Sequence, residues 1–236
     1  MTPRMKFGTI TLSTLLFFGV IGSSHSTPDL SRNEHMVLSV LWFQTAAEMR
    51  ALSYQSFTVA KMRIDQDIAG NKTAKKRAVI VDIDDTVLDN SPHMAKLIKE
   101  SQVFPYAWAD WVNVAKAEPL PGAVEFLEYA VSKGYDVFYV SNRSAKTEKE
   151  GTIRNLKAKG FPQAEEAHVL LLTETSSKEP RRNAIEKTHE IILLMGDNLN
   201  DLAMVFEKRS MTDRFAEVDK IKSEFGTRFI VLPNPM

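Results

Sequence analysis

The sequence predicts an α/β fold of the Rossmann-like, doubly wound kind, in which helices cover both faces of a parallel sheet. Three observations support this prediction. Short, solidly apolar runs recur along the chain, as buried parallel strands require. Segments with helical periodicity alternate with these runs. Finally, 44% of the 236 residues are hydrophobic and 25% are charged, a composition typical of a globular chain that buries a large core.

The first half of the chain is predicted to contain a long helix, a buried strand and a helical insertion. Apolar positions in residues 33–69 recur at three- and four-residue steps, which predicts one buried helix face made by Val40, Phe43, Ala47, Ala51 and Tyr54. The β-branched run at residues 78–81 predicts a strand buried on both faces. Residues 92–118, which contain tryptophan and phenylalanine, are predicted to form two short helices.

From Pro121 onward, helices and strands are predicted to alternate regularly. Pro121 suits the first turn of a helix, and Gly134 and Gly160 each follow the end of a helical pattern. The predicted helices are residues 121–133, 146–159, 181–188, 199–206 and 216–225. The predicted strands are residues 136–140, 168–172, 191–195 and 228–232.

Charge and cysteine content exclude several classes of function. Lysine plus arginine and aspartate plus glutamate both number 30, so the formal net charge is zero, which argues against a nucleic-acid polymer as partner. The chain has no cysteine, which excludes disulfides, thiolate zinc sites, a cysteine nucleophile and lipid attachment through cysteine.

The N-terminus has the pattern of a signal peptide. Arg4 and Lys6 precede a mostly apolar run at residues 7–22, and small polar residues follow it. We expect cleavage after Ser26 and a mature chain of residues 27–236, periplasmic or secreted in a bacterium, with no stable membrane anchor after cleavage. The alternative is an uncleaved N-terminal anchor, although the apolar run is short for a membrane-spanning helix.

Polar side chains follow four predicted strands at the point where each strand ends. Aspartates at positions 82, 84 and 85 follow the first strand, Ser141, Asn142 and Arg143 follow the second, Lys178 follows the third, and Asp197 and Asp201 follow the fourth. Because ligands of open α/β sheets bind beyond the carboxyl ends of the strands, we expect these groups to converge. A helix cap or turn would explain a single aspartate, but not the whole set.

Asp82 and Asp84 would share one face if the strand continued through them. Two carboxylates so close repel each other unless a cation lies between them. A divalent ion would serve, and Asp197 or Asp201 could complete its site. Because all of these ligands are oxygens, the set favours Mg²⁺. We expect one ion. A calcium EF-hand loop is excluded, because its sixth and twelfth positions would be Val87 and His93.

Two long segments carry a resemblance to a known family. Residues 81–92 read VDIDDTVLDNSP, and residues 195–202 read MGDNLNDL. In this order they resemble the two signatures of the class C bacterial acid phosphatases (lipoprotein e type, 5'-nucleotidase-like) of the haloacid dehalogenase (HAD) superfamily. Shorter matches are residues 121–126, 138–143, 147–153 and 229–234. The resemblance covers essentially all of the mature chain and implies a HAD-like domain with a small helical cap.

The resemblance implies catalytic roles for residues at these strand ends. Asp82 would be the nucleophile that attacks phosphorus and forms a phosphoaspartyl intermediate. Asp84 would protonate the leaving oxygen and then deprotonate the attacking water. Lys178 would neutralise charge on the nucleophile and the phosphoryl group. Ser141 would bind phosphoryl oxygens, and Thr86 would support the loop beside the substrate.

The resemblance also implies metal ligands and substrate contacts. A carboxylate oxygen of Asp82, the main-chain carbonyl of Asp84 and the side chain of Asp197 would hold Mg²⁺, and Asp201 would orient this shell through water. Asn142 and Arg143 are implied as substrate contacts. The cap would comprise residues 92–118 together with the helix at 33–69.

The function that follows is an exported, magnesium-dependent acid phosphatase that hydrolyses small phosphomonoesters. A second aspartate two residues after the nucleophile favours ester hydrolysis over dehalogenation, and we expect an acidic optimum because Asp84 must be protonated in the first step. Nucleoside 5'-monophosphates are one candidate substrate class. Two alternatives stay open: a non-enzymatic binding or storage protein on the same scaffold, and a phosphotransferase. The sequence is also compatible with a homodimer.

One position of the first signature departs from the family pattern. His93 stands where the family usually has an aromatic residue, and we expect this histidine at the surface or rim of the site. The aromatic residues of the cap are expected to serve in packing more than in lining the entrance.

Overall fold

The structure, a computed structural model, describes residues 33–70 and 75–236. Its strands in this part of the chain are β1 (Lys76–Val81), β2 (Leu88–Asp89), β3 (Glu118–Pro119), β4 (Tyr135–Ser144), β5 (Val169–Leu172), β6 (His189–Gly196) and β7 (Phe229–Val231). The main sheet has the order β5-β4-β1-β6-β7, and all its neighbouring strands are parallel. This confirms the predicted doubly wound α/β fold. The predicted signal peptide, residues 1–26, lies outside the described residues.

Within the described residues, two α-helices precede β1, and the others lie in the connections between these strands. The α-helices are α1 (Val37–Thr45), α2 (Ala47–Gly70), α3 (Ser91–Lys99), α4 (Trp108–Val114), α5 (Ala123–Ser132), α6 (Lys149–Ala158), α7 (Glu179–Glu186), α8 (Leu199–Leu202) and α9 (Met211–Lys220). In the described ranges, no helix combines the length and the apolar character that a membrane crossing would require.

Two apolar clusters cover the two faces of the sheet. Side chains of β1 alternate between them, so that Val79 and Val81 join one cluster and Ala78 and Ile80 join the other. The first cluster contains residues of α2, α5 and α6, and the second contains residues of α7 and α8. Because both faces of β1 are buried, its side chains are apolar throughout residues 78–81, as a central parallel strand requires.

The single helix predicted for residues 33–69 is wrong in one respect, because Ala46 interrupts it. Ala46 has an extended backbone (φ −76°, ψ 127°), and α1 and α2 meet there. Phe43 and Met49 both reach the core, although residues six positions apart in a straight helix would point about 120° apart. The bend removes that conflict.

The phase of the buried face also changes at the bend. Val40 and Phe43 are buried as predicted, but Ala47, Ala51 and Tyr54 are exposed. The buried residues of α2 are Met49, Ser53, Phe57, Ala60 and Ile64.

A two-stranded antiparallel sheet pairs the two ends of the helical insertion. The sequence analysis did not predict this sheet. β2 pairs with β3, and Leu88 lies opposite Pro119. Strands of two residues are too short to produce a periodic pattern, which explains why they were not predicted. The two predicted short helices of this region, α3 and α4, lie between the paired strands.

The last predicted helix is displaced towards the N-terminus. Residues 216–225 were predicted, whereas α9 begins at Met211 because the Ser210 hydroxyl accepts a hydrogen bond from the Asp213 amide at 3.1 Å. A serine N-cap of this kind starts a helix independently of its apolar pattern.

Candidate active site

The register of the sheet brings the polar strand ends together. Val81, the last residue of β1, lies beside Tyr139 of β4 and Met195 of β6. The residues that follow these three positions therefore meet at one edge of the sheet. The Asp82 amide donates a hydrogen bond to the Met195 carbonyl there, at 2.9 Å. The expected convergence at the carboxyl edge is present.

Asp82 is buried at the centre of this edge. One of its carboxylate oxygens accepts a hydrogen bond from Lys178 Nζ, and the other lies 3.4 Å from the Thr86 hydroxyl. Burial disfavours the charged carboxylate and raises the pKa of Asp82 well above the ordinary value. The positive charge of Lys178 lowers this pKa by less than burial raises it, and the negative charges of neighbouring aspartates raise it further. A free carboxylate here is a costly group that needs cationic neighbours.

Lys178 lies immediately before α7, and its side chain is only 4% exposed. Besides Asp82, its Nζ contacts Asp201 Oδ1 at 2.7 Å. Burial alone would lower the pKa of Lys178, but Asp82 and Asp201 together raise it above the ordinary value. The two carboxylates thus favour the charged, ammonium form of Lys178 beside Asp82.

Three carboxylates form a cluster suited to a hard cation. Ligand atoms of Asp82, Asp197 and Asp201 lie within 4.8 Å of one another. Burial, followed by the charge of Asp201, raises the pKa of Asp197 to about 6. The oxygen donors and their mutual repulsion fit a divalent ion such as Mg²⁺.

Two further contacts hold Asp197 in place. The Asn234 side chain donates to Asp197 Oδ2 at 2.7 Å, and the Asp197 amide donates to the Thr86 hydroxyl at 3.0 Å. Thr86 is fully buried. It thus links the loop after β1 to the loop after β6.

The raised pKa of Asp197 predicts how the stability of the metal-free protein depends on pH. Between about pH 4 and pH 6 the folded state binds a proton at Asp197 that the unfolded state has released, so the free energy of unfolding falls as pH rises. The Asp197→Asn variant lacks this titrating group. Between about pH 4 and pH 6 the wild type should therefore lose about 1–3 kcal/mol more of its free energy of unfolding than the variant loses. Urea denaturation of both proteins in a chelator at each pH measures the difference. Parallel pH profiles would contradict the assignment.

Gly196 allows Asp201 to approach the sheet. A Cβ atom at residue 196 would lie 2.6 Å from Asp201 Oδ2 and 2.9 Å from its Cγ, closer than van der Waals contact permits. In its present position Asp201 also accepts a hydrogen bond from the Asn198 amide at 3.0 Å.

The Gly196→Ala variant should therefore displace Asp201 from Lys178. We expect it to lose about 1–3 kcal/mol of stability, as over-packed sites do, together with much of its affinity for a divalent cation. Thermal unfolding and cation titration measure the two effects. The control is Gly70→Ala, because a Cβ at residue 70 meets no atom within 4 Å. Equal effects of the two variants would refute the steric argument.

Asp84 lies apart from the carboxylate cluster and is held by its own set of donors. Arg143 Nε and Nη2 donate to Oδ1 at 2.9 and 2.8 Å, and Asn90 Nδ2 donates to the same oxygen at 2.9 Å. The Ser141 hydroxyl donates to Oδ2 at 3.1 Å. The Asp84 side chain keeps 26% of its surface exposed. It is thus fixed in orientation and still open to solvent.

The remaining predicted site residues occupy different positions. Ser141 is buried, whereas Asn142 is exposed and its Oδ1 accepts a hydrogen bond from Arg181 at 2.6 Å. Arg143 was predicted to contact substrate, but its guanidinium is buried between Asp84 and the Thr152 hydroxyl. These protein groups hold the Arg143 guanidinium in place, and the substrate contact of Arg143 stays a prediction.

Sequence reasoning missed three residues that shape the site. Asn90 binds Asp84, Asn234 binds Asp197, and Arg181 bridges β4 and β5 by donating to the carbonyls of Ser141 and Leu170. Asn234 follows β7, so the strand-end criterion applied to the last strand would have found it. Asn90 directly follows the two-residue strand β2, which was not predicted, and Arg181 lies within α7, so neither residue had such a signal.

Comparisons with known proteins agree with this geometry. A family model described as HAD superfamily, subfamily IIIB (acid phosphatase) matches residues 24–236. The structure of the class C acid phosphatase from Bacillus anthracis is similar, with a TM-score of 0.84 and 44% identity, over 87% of this chain and 86% of that chain. A crystal structure of the same phosphatase with tungstate bound gives 43% identity with the same TM-score and coverage.

A plant protein is similar over a shorter segment. Vegetative storage protein 1 of Arabidopsis thaliana is 30% identical over 132 residues, which is 52% of this chain. The match spans 48% of that protein, about half of its length.

Proposed function

Because the chain belongs to subfamily IIIB (acid phosphatase) of the HAD superfamily, we propose that it hydrolyses phosphomonoesters through a phosphoaspartyl intermediate on Asp82. The observation that carries this proposal is the buried pair of Asp82 and Lys178 at the end of the central strand. A nucleophilic carboxylate can approach a phosphate only where positive charge is fixed beside it.

The proposed reaction has two steps. In the first, an oxygen of Asp82 forms a bond to phosphorus, the ester P–O bond breaks, and Asp84 gives its proton to the leaving oxygen. In the second, Asp84 takes a proton from water, the water oxygen attacks phosphorus, and the bond to Asp82 breaks to release phosphate. Asp84 suits both steps because it is oriented by donors yet accessible to solvent.

We assign the cation site to Asp82, Asp197 and the main-chain carbonyl of Asp84, with Asp201 acting through water. The oxygen donors and the raised pKa of Asp197 support Mg²⁺ as this cation. When bound, the ion would neutralise the carboxylates and withdraw charge from the phosphoryl oxygens. The similar phosphatase from Bacillus anthracis has been crystallised with tungstate bound, and tungstate is an oxyanion like phosphate. That complex supports the binding of a phosphoryl group by this chain.

The proposal extends to location and substrate. The pattern of residues 1–26 supports export. Nucleoside 5'-monophosphates are proposed as substrates because exposed Phe104 packs on Trp108, which in turn lies over Arg143 beside Asp84. A base could stack on this aromatic path. Comparing kcat/KM for a nucleoside monophosphate and for glycerol phosphate tests this step.

Product partitioning tests the covalent intermediate. Several phosphomonoesters are hydrolysed in water containing methanol, and the ratio of methyl phosphate to phosphate is measured for each. A common phosphoenzyme predicts one ratio for all esters, because the leaving group has departed before partitioning. A ratio that varies with the ester would refute the intermediate. A large yield of methyl phosphate at low methanol would instead indicate a phosphotransferase.

Similarity to the plant storage protein supports a second candidate, a non-enzymatic binding or storage protein. The presence of Asp82, Asp84, Lys178 and Asp197 in one site favours the phosphatase. Absence of phosphate release from p-nitrophenyl phosphate with Mg²⁺, at every pH from about 4 to 8, would favour storage.

A further inference from the structure

Helix α4 reaches both of the groups that bind Asp84 Oδ1. Its two tryptophans make these contacts: Trp108 lies over the Arg143 guanidinium, and Trp111 donates a hydrogen bond to Asn90. Arg143 and Asn90 are the donors to Asp84 Oδ1. The cap therefore touches the partners of Asp84 twice.

The contact with Trp108 restrains Arg143. The distance from the guanidinium carbon to the indole ring centre is 5.7 Å, within the range of cation–π attraction. The edges of the guanidinium are occupied by Asp84 and Thr152. The indole covers a face that these hydrogen bonds leave open, so the planar group is held on its face as well as at its edges.

The contact with Trp111 fixes the orientation of the Asn90 amide. The indole Nε1–H is a donor only, so the Asn90 oxygen must face it, at 2.8 Å. The Asn90 nitrogen must then face Asp84. Without the indole donor the amide could turn over and present its oxygen to the carboxylate, which would repel it.

The position of α4 is itself well determined. His93 of α3 is buried between the two indoles, with ring centres 5.2 Å from Trp108 and 6.3 Å from Trp111, and its Nε2 lies 3.0 Å from the Tyr106 carbonyl. His93 was expected at the surface or rim of the site, but it is only 1% exposed, so it does not lie at the surface. On the other side, Gly151 of α6 allows close approach, because a Cβ there would lie 2.7 Å from the Val112 carbonyl.

We propose that Trp108 and Trp111 are positioning residues that hold Asp84, through Arg143 and Asn90, in the orientation required to protonate the leaving oxygen. The inference rests on the proposed function, in which Asp84 is the general acid. It assigns to the cap a part in the proton transfer, in addition to any contact with the substrate.

Dependence on the leaving group provides the test. Phenyl phosphate and p-nitrophenyl phosphate have nearly the same shape, but phenolate is the poorer leaving group and depends more on protonation. We define the ester ratio as kcat/KM for phenyl phosphate divided by kcat/KM for p-nitrophenyl phosphate. Both values come from one protein sample, so a partly unfolded variant does not alter the ratio.

The Trp111→Phe and Trp108→Leu variants should lower the ester ratio by at least about fivefold, approaching the ratio of Asp84→Asn. Trp108→Phe keeps an aromatic face over Arg143 and should lower the ratio less than Trp108→Leu. The matched control is Trp42→Phe, because half-buried Trp42 packs against the main core cluster. Its ratio should equal that of the wild type.

Two failures are distinguishable. If Trp111→Phe and Trp108→Leu reduce kcat/KM for both esters equally while Asp84→Asn lowers the ratio, α4 has only a structural role and this inference is wrong. If Asp84→Asn leaves the ratio unchanged, or if Asp82→Asn retains turnover, the proposed function itself fails.

Discussion

Replacing Asp82 with asparagine is expected to reduce kcat for p-nitrophenyl phosphate by about four orders of magnitude or more. The amide has the size of the carboxylate but lacks the electron pair that attacks phosphorus. Its oxygen can still accept a hydrogen bond from Lys178, so the site should keep its shape. The variant should also be at least as stable as the metal-free wild type, because a neutral side chain avoids the cost of burying a charge, and the repulsion by neighbouring aspartates, that together raise the pKa of Asp82.

Initial rates with Mg²⁺, together with thermal unfolding, measure both effects. The control is Asp219→Asn, the same chemical change at an exposed residue of α9. A folded Asp82→Asn protein that keeps more than about one per cent of wild-type kcat would exclude Asp82 as the nucleophile.

Replacing Lys178 with methionine is expected to lower kcat/KM by about two to three orders of magnitude and the free energy of unfolding by about 3 kcal/mol. Methionine fills a similar volume but removes the buried positive charge. Asp82 and Asp201 would then face each other without the ammonium group that contacts both. Catalysis would lose the fixed charge beside the nucleophile.

The loss of stability in Lys178→Met should depend on pH. Lys178 lowers the pKa of Asp82, so its removal raises that pKa further, and the folded variant retains protons to a higher pH than the wild type. Its stability relative to the wild type should therefore decline as pH rises. Denaturation at several pH values measures this trend. The control is Lys187→Met, at an exposed lysine. A stability difference independent of pH would contradict the electrostatic explanation.

The strand ends could be predicted from the sequence because two simple regularities determine them. Buried parallel strands are apolar throughout, and their carboxyl ends meet at one edge. Asp82, Lys178 and Asp197 were therefore placed together without knowledge of the strand order. The sequence did not indicate that the Asp84 side chain is held by Arg143 and does not belong to the carboxylate cluster.

Other features depend on contacts that sequence patterns do not encode. The bend at Ala46 follows from the need to bury both Phe43 and Met49, which becomes visible only when the core is present. The protein partners of Arg143 are another example, because a basic residue after a predicted strand does not indicate that it will pack under Trp108 and bind Asp84. A buried His93 was missed for the same reason.

The pairing of β2 with β3 has a consequence for how the protein can diversify. Because Leu88 and Pro119 lie side by side, the chain leaves and re-enters the α/β body at nearly the same place. The entropic cost of closing a loop rises only slowly with its length. The segment between these residues can therefore be exchanged or resized with little strain on the main sheet. A chimera could graft a different excursion between the same two anchor points, while Asp82, Lys178 and Asp197 stay on the scaffold and only the surroundings of Asp84 are rebuilt.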